Sequence, residues 1–312
     1  MIKAKLKTIG DALFGKRSER LQSQNEAAIK KLSNIHASLS GIMRHMAENK
    51  AGNKDLRDRI IDMRKRIERI DDTCATLIRK ANKLYSTVGM DIPLAQIDKM
   101  VAEVDRYMRR ESVKTILDVG TRDAETAIAL KRFFWQAKIF AFECNPEAIA
   151  ACKGNIKNCG HEDIFLVEKA VSAKTGVRNF YAINSARSKN IGASSLFRPG
   201  PFNNEKHFKR IKVDSVLLDD WLKERGIKGI DILWMDLQGA ELEALHSLRR
   251  TIKKVKFIST EVEYREMYLG QPLYADVEKF LFSQGFRLQR ILFTNKNMLY
   301  GNILYRNAKL IK

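Results

Sequence analysis

Thr115-Ile116-Leu117-Asp118-Val119-Gly120-Thr121-Arg122-Asp123 is an apolar, β-type run that ends in an acid and a glycine, with a helical segment, Ala124–Phe134, behind it. A short apolar run closed by a turn signal reads as a buried strand. A glycine just past its end lets the backbone approach a ligand, because no Cβ intervenes. The next strand-like run, Lys138–Phe142, ends at Glu143, 25 residues beyond Asp118. A carboxylate at that distance is the expected acceptor for both ribose hydroxyls of an adenosine cofactor. Two plainer roles suit the same residues: Asp123 as a helix N-cap and Glu143 as a solvated acid.

Outward from this unit, Pro146–Asn158 reads as a helix with proline in its first turn, and Ile164–Val167 as a third strand. Val177–Ile183 and Lys209–Val213 read as further strands, joined by a loop rich in Ser, Asn, Gly and Pro. Leu217–Arg225 is helical, Ile230–Met235 an apolar strand, Ala240–Leu248 a helix and Phe257–Val262 a strand. A helix over Leu273–Gln284 precedes two strands, Phe286–Phe293 and Met298–Tyr305, with Asn295-Lys296-Asn297 at their turn. Repeated βα units predict an α/β domain over residues 111–312. Its sheet is doubly wound and mostly parallel, closed by a C-terminal antiparallel hairpin.

Residues 1–110 are of another kind, a helical region with a single proline, Pro93, and no strand-like run. Leu21, Ala28, Leu32, Ile35, Leu39, Ile42 and Met46 recur in steps of three and four, and the pattern resumes from Leu56 to Val88 after Ala51-Gly52-Asn53. That spacing lines one helical stripe, the seam of a coiled coil or a helical hairpin. Three arrangements stay open: an antiparallel hairpin, a parallel dimer, and helices lying on the α/β domain. Self-association or partner docking through residues 21–88 is expected. In residues 1–20, Ile2, Leu6, Ile9, Leu13 and Phe14 share a face flanked by Lys3, Lys5, Lys7, Lys16 and Arg17. A basic amphipathic helix of this kind can lie on an anionic membrane surface; a surface helix or a frayed tail fits the same residues. Asp91-Ile92-Pro93 then separates these runs from a short amphipathic helix with Ile97, Val101, Val104 and Met108.

The 312 residues are 45% hydrophobic and 30% charged, enough apolar matter for a core, and carry a net charge of +20. Such a charge points to an anionic neighbour: nucleic acid, a phospholipid surface or a phosphate-bearing substrate. No run of about 18 apolar residues is present, so no membrane-spanning helix is expected. The start lacks the apolar stretch of a secretory signal. Cys74, Cys144, Cys152 and Cys159 show neither CxxC spacing nor zinc-finger His partners. The expectation is a cytoplasmic chain with reduced thiols, able to sit peripherally at the inner face of a membrane.

In open α/β sheets ligands sit beyond the carboxyl ends of the strands. GxGxxG is absent, and Asp123 and Glu125 load the helix start with negative charge, which disfavours a pyrophosphate. A cationic sulfonium cofactor without phosphate suits that turn better. After the fourth strand stands Asp236-Leu-Gln238-Gly239-Ala-Glu241, and after the fifth Glu261-Val-Glu263. Asp236, Glu241 and Glu261 could hold the cofactor's ammonium group, deprotonate a substrate hydroxyl or bind a divalent metal. Glu241 also suits a helix N-terminal acid favoured by the dipole. An acid ending an apolar strand, as Asp236 does, is costly unless employed or paired.

Asp118-Val-Gly120, Phe142-Glu143-Cys-Asn145-Pro146, Ala193-Ser194-Ser195-Leu196, Val213-Asp214-Ser-Val-Leu, Met235-Asp236-Leu-Gln238-Gly239-Ala-Glu241, Thr260-Glu261-Val-Glu263 and Tyr268-Leu-Gly270-Gln271-Pro together resemble the FkbM family of methyltransferases over residues 113–305. The resemblance implies the class I, Rossmann-like methyltransferase sheet and S-adenosylmethionine as cofactor. It implies O-methylation, of sugars or polyketide-type hydroxyls, with Asp118, Gly120 and Glu143 contacting the cofactor and Asp236 near its methionine end. Thr121, Arg122, Asp123, Cys144 and Asn145 fall in the same two loops and are expected to line it. The chain departs from the family at Ala124, where a second glycine is usual, and at Cys144, where proline is frequent.

These readings predict transfer of a sulfonium methyl to a hydroxyl, chiefly by holding oxygen, methyl and sulfur in line. Asp236 is the first candidate for the base, then Glu261, then His207, whose loop could fold over the site; no metal ligand is assigned. No Asn/Asp-Pro-Pro-Tyr run follows the fourth strand, which argues against N-methylation of bases. The expected acceptor is a glycan, a small molecule or a lipid-linked hydroxyl. Two other functions fit the same sequence: an RNA methyltransferase, suggested by the charge, and a non-catalytic coiled-coil assembly protein with a degenerate methyltransferase domain, suggested by Ala124.

Overall fold

The computed structural model describes residues 94–311 apart from Lys189, Lys296 and Met298. The helical stripe of residues 21–88 and the basic face of residues 1–20 lie outside the described residues. In chain order the elements are α1 (Leu94–Val104), β1 (Thr115–Val119), α2 (Glu125–Phe133), β2 (Lys138–Phe142), α3 (Pro146–Cys159), β3 (Ile164–Val167), β4 (Ala170–Val171), β5 (Gly176–Ile183), β6 (Phe208–Val216), α4 (Leu218–Glu224), β7 (Ile230–Met235), α5 (Glu241–His246), β8 (Val255–Glu263), α6 (Tyr274–Ser283), β9 (Phe286–Thr294) and β10 (Tyr300–Asn307). No described helix is long and apolar enough to cross a membrane.

Seven strands form one sheet in the order β3-β2-β1-β7-β8-β10-β9. The first five are mutually parallel, and β10 runs antiparallel to both β8 and β9. This is the doubly wound class I sheet that the βα alternation predicts. Strands buried on both faces carry continuous apolar runs. Accordingly Ile116, Leu117 and Val119 of β1 and Ile232 and Leu233 of β7 are fully buried. Far from the mouth, Asp231 accepts from the backbone N–H groups of Lys114 and Thr115 and pairs with Lys256 at 2.6 Å, which ties the starts of β1, β7 and β8 together.

Lys131 on α2 is buried in the same region. Its Nζ donates to the carbonyl oxygens of Trp135 (2.8 Å) and Ala137 (2.7 Å) and reaches Asp163 Oδ2 at 3.0 Å. The ammonium thus satisfies the loop that joins α2 to β2, and links it to the entrance of β3.

The two strands expected between 177 and 213 build a separate three-stranded sheet with β4, in the order β4-β6-β5. Its inner face packs Ala170, Phe180, Ala182 and Val213 against Cys144, Leu196 and Ile211. The short amphipathic helix anticipated around Ile97 is α1, and it belongs to the compact unit that carries the sheet. Ile97, Met100 and Val104 are fully buried, Lys99 Nζ caps the Leu292 carbonyl at 2.8 Å, and Glu103 pairs with Arg290 at 3.1 Å. Ala124, expected inside the following helix, stands outside it at φ +66°. The chain has to turn through a left-handed conformation there before α2 can begin.

Candidate active site

β1 lies between β2 and β7, with Val119 in register with both Phe142 and Met235. Glu143 and Asp236 each follow the strand-final residue, so they flank Gly120 at one end of the sheet, two strand spacings apart or about 10 Å. Gly120 has φ +86°, and a Cβ there would meet the Asp236 carbonyl oxygen at 2.0 Å. Only glycine lets these two loops come so close.

The loop after β1 is held by the end of β2. Gly120 and Thr121 N–H donate to the Phe142 carbonyl, and Arg122 N–H donates to Glu143 Oε2, all at 3.0 Å. Glu143 Oε1 accepts from the N–H groups of Cys144 and Asn145, each at 2.7 Å. The carboxylate is thus held between the two loops, with one lone pair, on Oε2, left for a ligand. Asp118 accepts from the Thr121 hydroxyl at 2.5 Å through Oδ2, while its buried Oδ1 has no hydrogen-bond partner. Arg122 turns to Asp123 at 2.7 Å.

Behind Asp236 sits a residue that the sequence reading did not single out. Gln238 Nε2 donates to Asp236 Oδ1 at 2.7 Å and to Glu261 Oε2 at 2.5 Å. Its Oε1 lies 2.9 Å from the Tyr268 hydroxyl, which is also 2.9 Å from the Ala193 carbonyl and gives its one proton to either. The Gln238 backbone carbonyl accepts from Ser195 Oγ at 2.7 Å. The side chain and backbone of Gln238 thus gather the end of β7, the C-terminal part of β8, the loop after β5 and the segment around Tyr268. Among the described residues the non-glycine positive φ angles are those of Arg122, Ala124 and Gln238, all in these two loops. Backbone strain concentrated in this way marks functional ground.

The sequence profile of the methyltransferase FkbM domain matches residues 118–288. The 2-O-methyltransferase NoeI of Sinorhizobium fredii (strain NBRC 101917 / NGR234) is 32% identical over 203 residues, 62% of this chain and 80% of that protein. The chain belongs to the FkbM methyltransferase family. As a member it is an S-adenosylmethionine-dependent methyltransferase. Among solved structures, magnesium protoporphyrin IX methyltransferase (ChlM) from Synechocystis PCC 6803 with bound SAH is 10% identical, with 69% of this chain and 83% of that one covered and a TM-score of 0.41. An rRNA methylase from Streptococcus thermophilus is likewise 10% identical, with 68% and 95% covered and a TM-score of 0.40.

The FkbM carboxylates share an environment that resists ionisation. Burial pushes Asp118 up to about 7; the Thr121 hydroxyl opposes the shift, while Asp236 and Asp123 add to it. Burial likewise raises Glu241 to about 7. It lifts Glu261 and Glu263 well above the usual carboxylate range, with Asp236 adding to the first and Glu241 to the second. Burial raises Asp236 as well, against the hydrogen bond from Gln238. For Glu143, burial raises and the three backbone N–H bonds lower. Buried acids that resist ionisation in this way are relieved by a bound cation, which offsets the charge they would carry.

The structure gathers Asp118, Gly120, Thr121, Arg122, Asp123, Glu143 and Asp236 around one cleft, with Glu261 beside Asp236. It does not bring His207 to them. His207 closes a turn of 3-10 helix before β6, its Nε2 is 3.3 Å from Asn204 Nδ2, and none of its hydrogen bonds reaches Asp236 or Glu261. Asn145 serves as the N-cap of α3, where its side chain accepts from Glu147 N–H. Cys144 touches Glu143 through its backbone, while its side chain packs on the smaller sheet. Glu241 accepts from Leu237 N–H at 2.7 Å, so it closes the start of α5 as well as facing the acidic group.

Proposed function

We propose that this FkbM methyltransferase methylates a hydroxyl group of a sugar, a glycan, or another small-molecule or lipid-linked acceptor. The observation that carries the reading is the pair Glu143 and Asp236 on either side of Gly120. The relative NoeI, a 2-O-methyltransferase by name, supports oxygen as the acceptor atom.

The residues present fit the donor. Asp118 Oδ1 is buried without a partner, Gly120 leaves room that a side chain would fill, and the cleft is anionic. In this reading Glu143 accepts from a ribose hydroxyl, the 120–123 loop runs along the adenosine, and Asp118 and Asp236 face the methionine portion. When bound, S-adenosylmethionine supplies a methyl group on a positively charged sulfur, which leaves as a neutral thioether. The protein's own task is alignment. Asp236, held by Gln238, takes the proton from the acceptor hydroxyl as that oxygen forms its bond to carbon, and Glu261 behind the same amide fixes its orientation.

The test is transfer of labelled methyl from S-adenosylmethionine to cell fractions sorted into glycan, lipid, RNA and protein, alongside calorimetry of donor binding. Label in the glycan or lipid fraction is expected. Label confined to RNA, or no donor binding at millimolar concentration, would overturn the assignment. Asp236→Asn is expected to lower turnover about a hundredfold or more with donor affinity retained. Glu143→Ala is expected to weaken donor binding about tenfold to a hundredfold.

The domain reading extends this proposal. Residues 21–88 form a self-associating or docking helical arm, and residues 1–20 a basic face for an anionic membrane surface, joined to a catalytic domain at the C-terminal end.

A further inference from the structure

On β8, Glu261 and Glu263 stand two residues apart, which puts both side chains on the same face of the sheet. Glu241, the first residue of α5, comes up to that face. One carboxylate oxygen from each of the three lies within 4.8 Å of the others. All three residues are deeply buried, at 2% exposure for Glu241, 5% for Glu261 and 3% for Glu263. Among the described residues none of them forms an ion pair with Lys, Arg or His.

Glu241 accepts from Leu237 N–H and Glu261 from Gln238 Nε2. Glu263 has the Gln271 side chain and its own backbone beside it, yet its buried Oε1 has no hydrogen-bond partner. A buried acceptor left unsatisfied costs on the order of 1–3 kcal/mol, more when charged, so it calls for a ligand. The ligand cannot be an anion, with three carboxylates around it.

We propose that Glu241, Glu261 and Glu263 bind a divalent cation beneath the acceptor side of the site. Oxygens that share a cation at about 2.0–2.6 Å lie no more than roughly 5 Å apart, the spacing found here. An all-carboxylate donor set selects hard ions, Mg²⁺, Mn²⁺ or Ca²⁺, over ions that prefer thiolate or imidazole. The proposal rests on the methyltransferase reading for its consequence, since the cation is linked to the proposed base: Gln238 Nε2 joins Glu261 Oε2 to Asp236 Oδ1. By fixing Glu261 and offsetting its charge, the ion holds the amide, and through it Asp236, in one orientation. Glu241, Glu261 and Glu263 are then positioning residues.

The test uses the full chain stripped with EDTA and titrated with Mn²⁺, read by electron paramagnetic resonance and by thermal unfolding. One tightly held Mn²⁺ per chain and a raised melting temperature are expected, with Mg²⁺ or Ca²⁺ competing. Glu263→Gln should weaken Mn²⁺ about tenfold or more, while Glu205→Gln, a change at an exposed acid, should not. Glu241→Gln, which keeps an oxygen for Leu237 N–H, is the second variant should Glu263→Gln not fold. Absence of bound Mn²⁺ at millimolar concentration, or equal affinity in the wild type and the folded variants, refutes the site. Donor calorimetry on the chain before and after EDTA treatment separates the two ideas: donor binding without Mn²⁺ binding sinks only the cation, whereas absence of donor binding in the untreated and the Mn²⁺-reloaded chain sinks the methyltransferase assignment.

Discussion

Gln238 holds its backbone at φ +52° while its side chain serves two acids and a tyrosine. An L-residue pays roughly 1–2 kcal/mol for that conformation, and here the surrounding hydrogen bonds offset it. Gln238→Leu leaves Asp236 and Glu261 facing each other without their shared donor. Turnover is expected to fall about a hundredfold, since displacements of the order of an ångström cost that much, with a smaller change in donor affinity. Equal losses in both would remove Gln238 from its positioning role. Asp118 makes a second prediction at this scale. Its pKa is raised from the ordinary 3.8 to about 7, chiefly by burial. Between those values the folded chain holds a proton that the unfolded chain has released, so stability falls as pH rises through that window. The slope from this group is at most about 1.4 kcal/mol per pH unit. Melting temperatures of the donor-free protein should decline from pH 4 to 7, and Asp118→Asn should flatten the decline.

At the level of elements, the strands were the most legible. β1, β2, β3 and β7 lie where apolar runs between turn signals placed them, to the residue. β1 and β7, almost wholly buried, and the short apolar runs of β2 and β3 each have a pattern bounded by local turn signals that depends on nothing distant. Glu143 and Asp236 were legible for the same reason, because each is fixed by the end of such a run. β8 is longer than its apolar centre, Val255–Glu263 rather than Phe257–Val262, because pairing with β7 extends its start to Val255 and pairing with β10 carries its end over Glu263. That extension sets Glu263 on the same strand as Glu261 and completes the acidic group. Gln238 was legible only as a member of the Asp236-Leu-Gln238-Gly239-Ala-Glu241 run; its role was not, since its side chain's partners Glu261, on β8, and Tyr268 are distant in sequence. The docking of α1 was hidden too, because an amphipathic stripe does not name the surface it covers. A chain starting at residue 111, where the change of pattern suggests a boundary, loses Ile97, Met100 and Val104 from the core. It is expected to be destabilised by roughly 5 kcal/mol. Circular dichroism and light scattering on chains starting at 111 and at 92 would check this. The shorter should be unfolded or molten, the longer folded and monomeric, and the full chain self-associated. A stable fold from 111 onward would show that α1 is dispensable.

Taken whole, the molecule sets a carboxylate-lined cleft within a chain of net charge +20. The two signs address different tasks, since the surface field acts on anions at long range while the cleft selects a cation at contact. The hydrogen bond from Ser195 Oγ to the Gln238 carbonyl ties the loop after β5 to the loop after β7. At the opposite end, the walled-in ammonium of Lys131 turns the protein into its own gauge of opening. Acylating reagents that decorate the surface amines within minutes reach this one only when α2 lifts from the sheet. The extent of its modification, read by mass spectrometry with and without donor, therefore reports how far filling the cleft tightens the far side of the domain.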